Sequence, residues 1–187
     1  MAKFSAIGAL LVGAAFMGLA RPASALEPAA TLSTVQVLGG PRFGTNDLGF
    51  GVGVRGGYTM PTSIYVGGVF DYFFGSTNTV SALGSTVETK TSLWLLGGEI
   101  GYDLGLTPQI VLRPIAGIGF ASGSAKVCAS STGVPEQCAS STASDPFFEL
   151  GGSFNWFNGR FMLGGDARLL YVEEGALVLG GHVGVQF

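Results

Sequence analysis

The sequence predicts an all-β protein: an eight-stranded antiparallel up-and-down transmembrane β-barrel preceded by a cleavable signal peptide. Three observations carry that reading. Apolar residues make up 47% of the 187 residues and glycine accounts for 32 positions, while charged residues reach only 11%, against about 25% in an ordinary soluble domain. Apolar side chains recur at every second position in run after run, which is the period of a strand and not of a helix. Every charge inside those runs falls on the parity that the apolar residues leave free. Past residue 20 no apolar run approaches the length of about 18 residues that a transmembrane helix needs, so a helical bundle is excluded.

Residues 1–25 read as an export signal. Lys3 supplies a thin positive start, Phe4 to Ala20 an apolar core, and Ala23-Ser24-Ala25 a small-residue cleavage pattern. The barrel domain is then expected over 26–187. Loss of Lys3 and Arg21 leaves seven basic residues against twelve acidic ones. That balance lacks the basic face that nucleic-acid binding requires.

The first strand is expected over 31–39, with Val35 and Val37 on one face and Thr34 and Gln36 on the other. In the second, 48–60, Leu48, Phe50, Val52, Val54, Tyr58 and Met60 alternate with Gly49, Gly51, Gly53, Arg55, Gly57 and Thr59. The pattern recurs at 63–75, 91–104, 110–121, 147–156, 161–172 and 176–187. Pro61-Thr62, the stretch 105–109 with Pro108, and Asn158-Gly159 supply short turns. The last is a signal for a two-residue type I′ hairpin, which places Phe157 opposite Arg160. The intervening connections, 40–46, 76–90, 122–145 and 173–175, include two long Ser/Thr-rich loops. Short and long connections alternate, as periplasmic turns and external loops do in a membrane barrel. Both termini are expected on the short-turn, periplasmic side.

A secreted sandwich would also alternate, but its second face would meet water and carry Lys, Glu and Thr. Here that face is mostly glycine, as a narrow lumen filled by side chains favours. Arg55, Asp71, Glu99, Asp103, Arg113, Glu149, Asp166 and Arg168 all lie on it. A barrel in lipid demands this, because one charge on the lipid face costs roughly 2–4 kcal/mol at the midplane. The oily-face aromatics sort by height. Tyr58, Tyr102, Trp156, Phe161 and Phe187 lie towards the short turns, and Phe50, Tyr72, Phe74, Trp94, Phe120, Phe148 and Tyr171 towards the long loops. Two such rings match the interfacial girdles of membrane barrels.

The turns also set an expected register. With Asn158-Gly159 central, Glu149 faces Arg168. With Glu173-Glu174-Gly175 as a three-residue loop and Gly175 left-handed, His182 faces Asp166. Arg55, Asp71, Glu99 and Arg113 are expected to join them in a lumen charge network that plugs the barrel. Cys128 and Cys138 are the only cysteines. Their C-x9-C spacing with no nearby histidine fits no common zinc site, whereas export suits a disulfide across a short loop.

Taken together, these features resemble the small eight-stranded outer-membrane barrels of Gram-negative bacteria, the OmpA-like and OmpX-like group. The resemblance covers residues from about 31 to 187 as a pattern of strands. Its most specific element is Leu177, Leu179, Val183, Val185 and Phe187 at alternate positions, which looks like that family's C-terminal assembly signal; Gly181 interrupts the series. It implies a place in the bacterial outer membrane, contact with membrane lipid including lipopolysaccharide, and recognition by the barrel-insertion machinery. No peptidoglycan-binding domain follows Phe187, so a cell-wall tether is not implied.

Three functions are open to such a chain. A structural or surface-interaction barrel, meeting an extracellular partner through loops 76–90 and 122–145, is the leading expectation. A small low-conductance channel follows, and a lipid-modifying enzyme is third. The lone histidine, His182, lies on the lumen parity, and Gly184 stands where the His-x-Ser pair of lipid deacylases would need serine. No GxSxG, HExxH, P-loop or EF-hand pattern occurs. A monomer without catalytic residues, cofactor or metal is expected.

Overall fold

The computed structural model describes residues 34–46, 48–82, 85–131, 134–172 and 174–187; the leader and the start of the first expected strand lie outside them. Ten strands occur in the described residues, and no helix. They are β1 (Thr34–Gly44), β2 (Gly49–Thr59), β3 (Ile64–Phe73), β4 (Thr77–Ala82), β5 (Ser85–Tyr102), β6 (Leu104–Thr107), β7 (Ile110–Ser131), β8 (Val134–Asn158), β9 (Phe161–Tyr171) and β10 (Gly175–Gln186). Every pairing is antiparallel. Each strand of the series β1-β2-β3-β5-β7-β8-β9-β10 pairs with the next, and β10 pairs back onto β1. Eight staves therefore close a barrel, with Gln36 opposite Gln186 at the seam.

The two remaining strands are not staves. Short β6 continues the register of β5 against β7, Leu104 opposing Leu112 as Gly101 opposes Ile115, so it is the foot of the same stave. Strand β4 folds back on the upper half of β5. Together with the upper halves of β7 and β8 it makes a four-stranded sheet standing beyond the barrel rim.

That sheet corrects the loops expected at 76–90 and 122–145. Both segments do alternate, but with small residues. Val80, Val87, Val127, Ala125, Ala139 and Ala143 share one face, and Thr79, Glu88, Lys126, Cys128, Cys138 and Ser140 share the other. Their apolar side chains are too few and too small to stand out as a strand signal. Two shorter loops contract as well: β1 runs on to Gly44, and Gly175 already pairs with Tyr171.

Two registers differ from expectation. Asn158 opposes Phe161, so the two-residue turn is Gly159-Arg160, with Gly159 at φ +61° in the first central position. A left-handed residue there, and none at Arg160, is the type II′ arrangement and not type I′. Glu149 consequently opposes Leu170 and not Arg168. Likewise His182 opposes Gly164 and not Asp166, because Gly175 joins the strand without a left-handed φ. The physical reason is packing in a narrow tube. The observed registers set bulky inward side chains opposite glycines: Arg168 across from Gly151, His182 from Gly164, Asp166 from Gly180 and Asp71 from Gly53. The expected ones would have set bulk against bulk.

Outside, Val52, Val54, Leu96, Ile100, Ile118, Leu163, Val183 and their neighbours face away from the barrel. Aromatic rings meet around the rim nearer the standing sheet: Phe50–Phe74 and Phe148–Tyr171 stack with centroids 5.8 Å and 4.6 Å apart, and Phe43 is tilted against Phe50 at 5.3 Å.

Candidate functional site: the barrel interior and the standing sheet

The interior is filled in three layers. Nearest the standing sheet, Phe73, Leu95, Ala121, Phe147, Leu170 and Val178 form a buried apolar cluster, with Leu48, Leu93 and Val172 packed on it. The sequence reading does not anticipate this layer. Its signal is parity: Phe73 lies two residues from Asp71, Phe147 two from Glu149 and Leu170 two from Arg168, so each points inward with its charged neighbour.

Below it lies an ion-pair layer. Arg168 on β9 reaches Asp71 on β3 (Nη2–Oδ2, 2.7 Å), Glu149 on β8 (Nη1–Oε2, 2.6 Å) and Asp166 beside it (Nε–Oδ2, 3.0 Å). Arg42 on β1 donates from Nε to Asp71 Oδ1 at 3.0 Å and lies 3.3 Å from Asp166 Oδ1. Arg55 makes looser pairs, 3.5 Å to Glu99 and 3.6 Å to Asp166. His182 is held on both sides, Nδ1 3.3 Å from Asp166 Oδ1 and Nε2 2.8 Å from Asn155 Oδ1. Although the direct registers differ from expectation, Glu149 meets Arg168 and Asp166 meets His182 along cross-strand diagonals, which long side chains span.

The third layer lies towards the short turns. Arg113 pairs with Asp103 through Nε and Nη2 and donates from Nη2 to Gln36 Oε1 at 3.0 Å. Its guanidinium also lies 3.9 Å from the centre of the Tyr65 ring, and the Tyr65 hydroxyl donates to Glu99 Oε1 at 3.0 Å. Among the described residues, Arg113 thus reaches the middle layer through Tyr65. Glycines make room for these groups. A side chain at Gly57 or Gly67 would strike the Tyr65 ring, one at Gly180 would strike Arg42, and one at Gly117 would strike Glu149.

All eight interior residues singled out from sequence are buried inside the barrel: Arg55, Asp71, Glu99, Arg113, Glu149, Asp166, Arg168 and His182. Arg42 escapes the sequence reading, because Gly39, Gly40, Pro41 and Gly44 around it have the composition of a loop. It is fully buried, and it continues the inward parity of Gln36 and Leu38. With it, the lumen holds four arginines against five carboxylates among the described residues, not three against five. Pairing and hydrogen bonding on this scale are what let charges stay buried at all.

In the standing sheet, Cys128 and Cys138 oppose one another and form a disulfide. Beyond Phe148, the last β8 residue paired with β9, strand β8 has no neighbour on that edge among the described residues. The outer edge of β4 also has no neighbour among the described residues. Leu177, Leu179 and Val183 on the last strand, and Phe187 just after it, face outward.

The outer membrane protein beta-barrel domain model matches residues 7–186 of the chain. No curated protein matches it. Several solved structures share the fold. A major outer membrane protein from Thermus thermophilus aligns with a TM-score of 0.69 at 12% identity, covering 83% of this chain and 100% of that one. Ail, the attachment invasion locus protein of Yersinia pestis, aligns at 0.54 with 14% identity, over 83% and 97%. The N-terminal β-barrel domain of Pseudomonas aeruginosa OprF aligns at 0.52 with 16% identity, over 82% and 97%.

Proposed function

From the premise that the chain belongs to the outer membrane protein beta-barrel domain family and resides in the bacterial outer membrane, we propose that it is a surface-interaction barrel closed to solute flow. One observation carries this reading: the long β8 strand edge that has no neighbour among the described residues is on the standing sheet, while side chains fill the barrel interior. An unpaired strand edge presents rows of backbone donors and acceptors that a further strand can complete. The β8 edge from Val134 to Pro146 is such a row, thirteen residues long with Glu136 and Asp145 as its charges. The sheet lies on the external side, with both termini in the periplasm. An extended segment of an extracellular polypeptide is the partner that fits. Attachment is part of the name of the Ail neighbour, whose fold is the same.

The interior supports the closed state. Ion pairs bridge the lumen between walls, and an apolar layer seals it on the sheet side. An eight-stranded barrel has room for side chains or for a wide water path, and not for both. An enzymatic reading finds little support in His182, which is 3% exposed and engaged at both ring nitrogens inside the barrel. Photo-cross-linking on intact cells tests the proposal. A photoreactive residue at Ser141 should capture an external protein, whereas one at Gly159 should not. Equal capture at both positions, or none at Ser141 and Thr79, would remove the surface-interaction reading.

A further inference from the structure

Between Ala121 and Asp145 the two arms of the β7–β8 hairpin carry almost no information about their own register. The segment Cys128-Ala129-Ser130-Ser131 is repeated as Cys138-Ala139-Ser140-Ser141. One face pairs Gly123, Ala125 and Val127 with Ala143, Ser141 and Ala139; the other pairs Ser122, Ser124 and Lys126 with Ser144, Thr142 and Ser140. Sliding β8 by two residues exchanges small for small on one face and hydroxyl for hydroxyl on the other. Strands this uniform specify register weakly. A slide of four even brings Lys126 opposite Glu136, an attraction the native pairing lacks, since Lys126 now faces Lys90 on β5 and Ser140 on β8.

Inside the barrel no such freedom exists, because every slip would move lumen side chains off their glycines. On the sheet, β7 is held by β5, but β8 has β7 alone among the described residues. The one pair that distinguishes a single alignment is Cys128 with Cys138. Their Cα atoms are 4.1 Å apart, the close spacing of a non-hydrogen-bonded pair, where opposed side chains come nearest.

We propose that the Cys128–Cys138 bridge is a register clamp. It fixes which β8 backbone groups stand on the free edge at a given height above the membrane. Opening it with a dithiol, which is oxidised to its own disulfide as two cysteine thiols form, releases the β8 arm above Pro146 to slide in steps of two residues, the offset being taken up by a bulge at the rim above the fixed barrel register. The clamp rests on strand pairing alone and does not need the surface-interaction reading to be right.

Cross-strand NMR contacts in the detergent-solubilised full barrel test it. The oxidised protein should give one set of signals for 122–145, with Lys126 near Ser140 and Ser124 near Thr142. Reduced protein, and C128S/C138S, should show a second set in which Lys126 contacts Thr142 or the side chain at position 138, while residues 147–171 keep their shifts. Adding S124W/T142W to C128S/C138S, a directly opposed aromatic pair, should restore the single set. A reduced protein that keeps only the native contacts overturns the clamp. So does one whose sheet frays with no second register, since the bridge would then be a fold staple.

Discussion

Arg168 and Asp71 join opposite walls of the barrel. Their strands, β9 and β3, stand four staves apart in the ring of eight, and the guanidinium reaches the carboxylate at 2.7 Å. Arg42 grips the other oxygen of Asp71. A bond spanning the full diameter places charged side chains across the middle of the lumen.

Conductance is the direct check on that bond. Purified wild-type protein in planar bilayers should show at most rare, small openings, and Arg168→Ala should make them more frequent. Large, steady wild-type currents would reinstate the channel reading.

Removing either arginine should also destabilise the fold. Arg168→Ala and Arg42→Ala each strand buried carboxylates, a loss of about 3–5 kcal/mol for a broken buried pair. Urea unfolding followed by heat-modifiable gel migration would measure it. Arg55→Ala, whose pairs are longer, should cost less than either.

Adjacent glycines offer an internal control. A side chain at Gly67 would run into the Tyr65 hydroxyl, whereas at Gly68 the nearest atom lies 3.6 Å away. Gly67→Val should lose about 1–3 kcal/mol, the usual range for overpacking. Gly68→Val, on the lipid face, should leave unfolding nearly unchanged. Equal losses at both would mean the glycines serve the backbone and not the lumen.

Replacing both cysteines should leave the barrel assembled, because its eight staves close without them. Heat-modifiable migration of C128S/C138S should match wild type, while protease cleavage between 122 and 145 should rise several-fold. Failure to assemble would give the bridge a larger role.

Topology can be read with an impermeant thiol reagent on whole cells. In the C128S/C138S background, a cysteine at Thr142 should label and one at Gly159 should not. The reverse pattern would invert the orientation.

The faces of the staves are legible in the sequence because lipid and lumen impose opposite rules on neighbouring residues, so Val54 and Arg55 are unambiguous. Arg42 is not, since glycines and Pro41 hide the alternation around it. Register is legible to within one two-residue step. Turn residues narrow it, but the match of Arg168 to Gly151 and of His182 to Gly164 settles it, and that match involves three strands at once. The standing sheet escapes because alanine and serine alternate too faintly to resemble a strand.

The seam between β1 and β10 has a consequence for how the chain reaches its native state. Asp71 and Arg168 are 97 residues apart in sequence, and β1 finds its second neighbour only when the last strand arrives. Until that moment the sheet is open, and charges such as Asp71 and Arg42 lack the partners that later strands carry. Hydrocarbon gives such groups no solvation. A half-curled intermediate must therefore keep their side of the sheet against water or protein, and closure and desolvation become a single cooperative event. The order of synthesis makes the final strand the one that completes both.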